Sequence, residues 1–341
     1  MMKEDNQKDK EIYQSYINHS IQDFENSQSI NVKDQRSMIK KGKYMALITS
    51  IMISLAILLL IIPGMTLGSY LYYAVGGKAN HLIEIATKTV YVTEPNISLE
   101  EMELEENIKF FSMDIQFEVF KRIGKEDYKA GEYLIKYAFD KPRFPEKTIL
   151  LDRPLPKIAS MESNRIFHPD ALKPPGLEVE WDLLKKLPDG TVSEVYISLS
   201  KLMKAGELEK QLGKNVEVRW VAVDTGLEKK QIDKEGYPVA PIGYPLQLDQ
   251  TTWSPFNGRD QTNEEVFMDI LEFLRNNEEN AAKIASAKSL ALEERVPYLK
   301  KNGIYVYGAV VTGPTSELRK LQKNEAIRTM KVGEVKLWNW K

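Results

Sequence analysis

Residues 44–62 read YMALITSIMISLAILLLII, within a stretch from Tyr44 to Gly77 that carries no charged side chain. A helix needs about 20 predominantly apolar residues to cross the hydrocarbon core of a bilayer, and this stretch supplies them. A helix also pairs the backbone polar groups of such a segment internally. The stretch therefore predicts a single transmembrane helix, which we place at residues 44–75.

Two alternatives to an uncleaved span fit the sequence less well. A buried core helix of a soluble domain rarely shows so long a charge-free run with basic residues packed on one side only. A cleaved signal peptide would need a leader of 43 residues, and no small-residue cleavage pattern follows Ile62.

The end of the apolar stretch predicts how the helix leaves the membrane. Pro63 and Gly64 are expected either to kink the helix or to mark its exit, because proline interrupts helical hydrogen bonding. Tyr70, Tyr72 and Tyr73 follow, where an aromatic belt forms at the membrane–water interface. We therefore expect these three rings to lie at the interface.

Basic residues before the span predict its orientation. Five precede it closely: Lys33, Arg36, Lys40, Lys41 and Lys43. Beyond it, Lys78 and Lys88 are the first two. Because loops rich in lysine and arginine stay in the cytoplasm, residues 1–43 are expected to form a cytoplasmic arm. The C-terminal part, from about residue 79, is then extracellular, on a single-pass protein of the cell membrane.

The composition excludes several classes of protein. The 47 basic and 49 acidic residues give a net charge of -2, which argues against direct binding of nucleic acid. The chain has no cysteine, and this excludes disulfides, thiolate zinc sites, iron–sulfur clusters and a lipid-anchoring cysteine. The three histidines, His19, His81 and His168, are too scattered to predict a metal centre.

Catalytic motifs are missing from the sequence. The segment 311–315, VTGPT, is expected to join a strand to a helix, but it lacks the glycine and lysine pattern of a phosphate-binding loop. There is no Gly-x-Ser-x-Gly elbow, and His168 has no neighbouring serine motif. The sequence thus predicts no catalytic residue, no cofactor and no enzyme.

The cytoplasmic arm contains one amphipathic pattern. Three- and four-residue spacing puts six residues on one helical face: Ile12, Tyr13, Tyr16, Ile17, Ser20 and Phe24. Asp9 is a candidate cap for this helix. Because so short a helix cannot form a core alone, its apolar face needs a partner. The candidate partner-binding residues are Ile12, Tyr13, Tyr16, Ile17 and Phe24.

Three environments for this helix remain open. A cytoplasmic protein with a groove for an amphipathic helix is one. A disordered tail, in which the apolar residues have no role, is another. A helix on the membrane surface is disfavoured, because residues 1–32 carry six carboxylates against three lysines and the inner leaflet is anionic.

The rest of the chain is expected to form an α+β fold in two modules. Residues 76–150 are expected to be β-rich, with strands at 87–92, 115–122 and 133–139. The glutamates that cluster at 100–106 favour a solvated turn over a calcium loop. A proline-rich connection at 151–192 follows.

Residues 193–341 show a strand–helix–strand pattern twice. Strands are expected at 194–199, 216–223, 304–311 and 327–338, the last bent at Gly333, with helices at 201–212 and 315–322. This order suggests a ferredoxin-like sandwich, with a helical insertion at 225–303 that includes a capping box at Thr262. The segments 216–223 and 304–311 are expected to be neighbours in one sheet.

Several strings in this part resemble one known family. The segments 307–318 (YGAVVTGPTSEL) and 331–340 (KVGEVKLWNW) resemble the C-terminal domain of membrane sigma-factor regulators of Bacillus-type bacteria. Residues 193–200 and 219–225 are similar to the first two strands of that domain. The span with its flanks and residues 110–114 (FFSMD) resemble the companion N-terminal regulator domain.

The resemblance implies a membrane-bound anti-sigma factor. The cytoplasmic arm would hold an extracytoplasmic-function sigma factor inactive, alone or with a second membrane protein, and the outer part would respond to envelope stress. The chain departs from zinc-type anti-sigma domains, which use histidine and cysteine ligands. Two alternatives remain. One is an extracytoplasmic binding or scaffold protein of the cell envelope whose arm is inert, and removal of residues 1–32 would leave its function intact. The other is an enzyme with an unrecognised external site, in which case purified residues 79–341 would turn over a cell-wall or lipid substrate.

The predicted orientation can be tested with two epitope tags, at residue 2 and at residue 341. Protease added to intact, wall-stripped cells should digest the C-terminal tag only, because the basic flank holds the arm in the cytoplasm. An immunoblot for each tag gives the result. Protection of both tags would contradict the predicted single span.

Overall fold

The computed structural model describes residues 5–28, 32–150, 166–171, 179–247 and 254–340. The chain divides into two compact units, Met1–Thr66 and Leu67–Lys341. The helices are α1 (Asp5–Gln28), α2 (Val32–Ala74), α3 (Lys78–Thr93), α4 (Trp181–Lys186), α5 (Ala205–Leu212), α6 (Asn263–Arg275), α7 (Glu278–Ile284), α8 (Leu292–Asn302) and α9 (Thr315–Lys320). The strands are β1 (Ser98–Lys109), β2 (Ser112–Ile123), β3 (Glu126–Ala138), β4 (Lys141–Pro142), β5 (Glu146–Ile149), β6 (Thr191–Met203), β7 (Glu217–Val223), β8 (Gly243–Pro245), β9 (Val306–Pro314) and β10 (Ile327–Leu337).

The first unit contains α1 and most of α2. The part of α2 from Lys33 to Ala74 has a mean hydropathy of 2.8 in its most apolar window, and none of that window is buried. By length and composition it can cross a membrane. Pro63 lies inside α2, so the helix does not end there and continues to Ala74. α1 begins at Asp5, so Asp9 lies within the helix and does not cap it.

Two antiparallel sheets make up the centre of the second unit. The first sheet has the order β1-β2-β3-β4, with β5 also paired to β3. The second sheet has the order β10-β6-β9-β7-β8. β7 pairs with β9, for example Val218 with Val311, which confirms that segments 216–223 and 304–311 are neighbours.

The strand expected at 87–92 was wrong, because these residues belong to α3. The β-branched residues there favour a strand locally. In the structure the hydroxyls of Thr87, Thr89 and Thr93 each donate to the carbonyl four residues earlier, at 2.7 to 3.0 Å. Tyr137 of β3 and Trp220 of β7 also donate to carbonyls of α3. Packing against strands of both sheets thus overrides local propensity.

The glutamate cluster at 100–106 was also wrongly predicted as a turn. It lies in β1, which pairs with β2 at Ser98, Leu99 and 104–109 and forms an edge of the first sheet. Charged side chains on an edge strand are typical, because they discourage pairing with another chain. Glu105 and Glu106 are exposed there.

The elements of the second sheet differ from the expectation at the end of β6. The helix expected from Lys201 begins at Ala205, because β6 continues to Met203. The register between β10 and β6 shifts between Val332 and Val335, around Gly333. The capping box at Thr262 is present and begins α6. In the predicted connection at 151–192, residues 151–165 and 172–178 lie outside the described residues.

A buried ion pair joins the two sheets. Lys121 of β2 lies 3.2 Å from a carboxylate oxygen of Glu194 of β6, and both side chains are almost fully buried. Lys121 also donates to the hydroxyl of Tyr196, and Asn96 donates to Glu194 at 2.8 Å. A Cβ on Gly333 would lie 2.3 Å from Glu194 Oε2. Only glycine therefore allows β10 to approach this carboxylate so closely.

Replacement of Lys121 by Met should destabilise the protein strongly. The variant leaves the carboxylate of Glu194 buried without its cation, and loss of one partner of a buried pair costs about 3–5 kcal/mol of unfolding free energy. Denaturant unfolding of the purified protein in detergent, followed by tryptophan fluorescence, measures the change. The matched control is Lys185→Met, which removes an exposed pair with Asp182 and should leave the midpoint unchanged. Equal midpoints for both variants would contradict the expectation.

Candidate functional site

The predicted partner-binding residues lie along one side of α1. Tyr13, Tyr16, Ile17 and Phe24 line a shallow groove on this helix together with Ser20 and Ile21. Ile12 lies next to Tyr16, one turn earlier. We call the six apolar residues of this side the apolar stripe: Ile12, Tyr13, Tyr16, Ile17, Ile21 and Phe24.

Every residue of the apolar stripe is exposed. Tyr13 is 71% and Tyr16 is 68% accessible, and the least accessible, Ile17, is still 45%. Helical side chains three and four positions apart meet on the surface, so the tyrosines and isoleucines form a continuous contact surface. Sequence reasoning missed Ile21, although its spacing from Ile17 and Phe24 gave the necessary signal.

Charge on α1 complements the apolar stripe. The same helix exposes the carboxylates of Glu11, Asp23 and Glu25. Among the side chains of α1 that the structure describes, Lys10 is the exposed cation. An apolar stripe among carboxylates suits a partner surface that is apolar in its groove and basic around it.

The second unit begins with the last turns of α2, which pack against the first sheet. The hydroxyl of Tyr73 donates to the carbonyl of Phe139 at 2.8 Å, and Tyr73 is fully buried. The ring of Tyr72 meets that of Phe139 edge to face, with centroids 5.7 Å apart. The expectation of an aromatic belt was therefore wrong for Tyr73 and in part for Tyr72, while Tyr70 is 58% exposed.

His168 lies in a polar cluster of the second unit, together with Asp224 and Tyr298. Its Nε2 is 3.6 Å from Asp224, which accepts a hydrogen bond from Tyr298 at 2.8 Å. Burial lowers the pKa of His168, although the Asp224 carboxylate opposes this effect. The imidazole is therefore neutral at pH 7. Its Nδ1 accepts the backbone N–H of Asp170, so both ring nitrogens lie against groups of the protein.

A metal site does not emerge from the described residues. No group of three or more His, Asp or Glu side chains in the described part of the chain is arranged to hold an ion. The surface of α1 is thus the strongest candidate for function.

Comparisons with known proteins match both halves of the chain. A family model described as sigma factor regulator N-terminal matches residues 36–128, and one described as sigma factor regulator C-terminal matches residues 184–334. Neither match includes α1. The "Probable anti-sigma-M factor YhdL" of Bacillus subtilis (strain 168) is 31% identical over 339 residues, covering 97% of this chain and 91% of the relative. No solved structure matches.

These matches identify the class of protein. The N-terminal model covers the apolar helix and β1 to β2, and the C-terminal model covers nearly all of the second sheet. The relative extends the similarity over almost the whole chain. The chain therefore belongs to the anti-sigma factor family, whose members are non-enzymatic regulators that bind sigma factors.

Proposed function

We propose that this protein is a membrane-bound anti-sigma factor that sequesters an extracytoplasmic-function sigma factor with the apolar stripe of α1. In this proposal α1 lies in the cytoplasm and α2 crosses the membrane. The unit Leu67–Lys341 lies outside and responds to envelope stress. The protein acts alone or together with a second membrane protein.

The exposed apolar stripe is the observation that supports this proposal most directly. Amphipathic helices bind in apolar grooves through anchors spaced three and four residues apart, and the stripe has this spacing. Tyrosine is among the residues that contribute most to such interfaces. Sigma factors bind DNA and therefore carry basic surfaces, to which the carboxylates of α1 are complementary. The relative's name as an anti-sigma-M factor supports a sigma factor as the partner.

The proposed orientation rests on α2. Its N-terminal part carries Lys33, Arg36, Lys40, Lys41 and Lys43, and no charged residue follows until Lys78. Basic residues at one end of a span hold that end in the cytoplasm. The sigma factor is a cytoplasmic protein, so this orientation places α1 where its partner is.

We also propose a ferredoxin-like core for the second sheet and two outer modules, with boundaries at 76–150 and 193–341. The element order β6-α5-β7-β9-α9-β10 and the strand order β10-β6-β9-β7 support this classification. β8 adds an edge strand beside β7, and helices α6 to α8 are inserted between β8 and β9.

The double variant Tyr16→Ala/Ile17→Ala tests the proposed interface. Truncation of central anchors commonly costs about 2 kcal/mol or more. The variant should therefore bind the sigma factor on the order of a hundredfold more weakly. In cells, the sigma-dependent promoters should become active although the protein accumulates normally. A reporter for the regulon and an immunoblot for the protein give the two readouts.

The matched control changes the opposite side of the same helix. Asn18→Ala/Gln22→Ala likewise introduces two alanines, which have favourable helix propensity, but leaves the apolar stripe intact. It should repress as the wild type does. If the Tyr16/Ile17 variant accumulates normally and still represses, the apolar stripe is not the binding surface.

A further inference from the structure

Exposed aromatic side chains surround the C-terminal end of α2. We call four residues the aromatic edge: Tyr70, Leu71, Phe110 and Phe139. Each is at least 49% accessible. Two belong to α2, and the others lie in the β1–β2 turn and directly after β3. Single exposed apolar residues are ordinary, but exposed apolar residues on segments that are held together mark an interaction surface.

Backbone contacts hold these segments together. The N–H of Phe111 donates to the hydroxyl of Ser69 at 2.8 Å, which ties the β1–β2 turn to α2. The N–H of Phe139 donates to the carbonyl of Phe111 at 2.9 Å, which ties the two turns to each other. Stacking of the Phe111 and Phe139 rings, 5.4 Å apart, completes the contact.

Both turns use a bulky residue where glycine would be favoured. The φ angles of Phe111 and Phe139 are 45° and 55°, in the left-handed region that non-glycine residues rarely adopt. Such strain persists where the side chain serves a purpose that glycine would not. Here the two phenylalanines pack together and orient the exposed aromatic edge beside α2.

The position of Ser69 along α2 indicates which environment this edge meets. A hydrocarbon core of about 20 residues that begins at Tyr44 ends at Pro63, and one of about 25 residues ends at Gly68. At about 1.5 Å per residue, Ser69 then lies roughly 1–9 Å beyond the core. This is the depth of the lipid headgroups, where aromatic side chains are enriched.

We propose that the aromatic edge rests in the headgroup layer of the bilayer beside the C-terminal end of α2, so that lipid is its occupant. This inference rests on the membrane span of the proposed function. Phe110 and Phe139 place apolar rings at the acyl boundary, and Tyr70 keeps its hydroxyl toward water. Lys109 and Lys141 flank the turns, with Asp140 beside Phe139, as polar residues at the aqueous side.

This contact would give the second unit a fixed orientation on the membrane. The edge belongs to the first sheet and to α2 at once, so a displacement of the sheet changes the position of the helix relative to the lipid.

A fluorescent reporter at residue 110 tests the contact. Because the chain has no cysteine, Phe110→Cys takes a single label of the environment-sensitive dye NBD. The full-length protein is reconstituted in vesicles of phosphatidylethanolamine and phosphatidylglycerol. Phospholipid with a nitroxide near the headgroup should quench the label at least twofold, and iodide in the buffer should quench it little. Tyr70→Cys, an exposed member of the same aromatic edge on α2, provides a second reporter if the first disturbs folding.

The control is Leu337→Cys, an apolar residue that is 82% exposed. Asn339, two residues on, donates to the carbonyl of Ile123 at the opposite end of β2, roughly 35–40 Å from Ser112 for a strand of 12 residues. This label should respond to iodide and not to the lipid nitroxide.

Two results would overturn the proposal. Iodide quenching at residue 110 equal to that at 337 means that the edge faces water. Shielding from both quenchers means that a protein surface covers it. Carbonate extraction of the same vesicles reports the span separately. The Tyr16→Ala/Ile17→Ala variant should leave the quenching unchanged, so a failure here is distinct from a failure of the sigma-factor proposal.

Discussion

The carboxylate of Glu194 is the centre on which the architecture of the second unit depends. It is fully buried, and it accepts hydrogen bonds from Lys121, Asn96 and the backbone of Glu334. A buried charge of this kind is tolerated only when it is paired and well hydrogen-bonded, so these groups have one compatible arrangement. Since Lys121 belongs to the first sheet and Glu334 to the last strand of the second, the ion pair fixes how the two sheets meet.

Helix α3 also connects the two sheets. It lies between elements of both sheets, with the carbonyl of Leu82 bonded to Tyr137 and that of Tyr91 bonded to Trp220. Its residues from Ile85 to Val92 are buried throughout. The first sheet therefore reaches the second through a helix as well as through the ion pair, and Leu67–Lys341 behaves as one compact unit.

The binding surface proposed for the sigma factor is built differently. The apolar stripe of α1 follows helical periodicity within one short segment, which is why five of its six members could be predicted from spacing. The second unit instead depends on contacts between residues far apart in sequence. A regulator with this division combines a local, helical binding element with a separate cooperative fold.

Sequence alone determined the apolar helix, the amphipathic side of α1 and the strand–helix–strand order of residues 193–341, since each depends on a periodicity or a charge pattern within a short window. The strings at 307–318 and 331–340 were sufficient to indicate the family. Tertiary structure decided the conformation of residues 87–92, where packing on both sides turned a β-branched run into a helix stabilised by threonine hydroxyls. It also decided the burial of Tyr73 and the pairing of Lys121 with Glu194, because a contact across 66 or 73 positions of sequence leaves no local pattern.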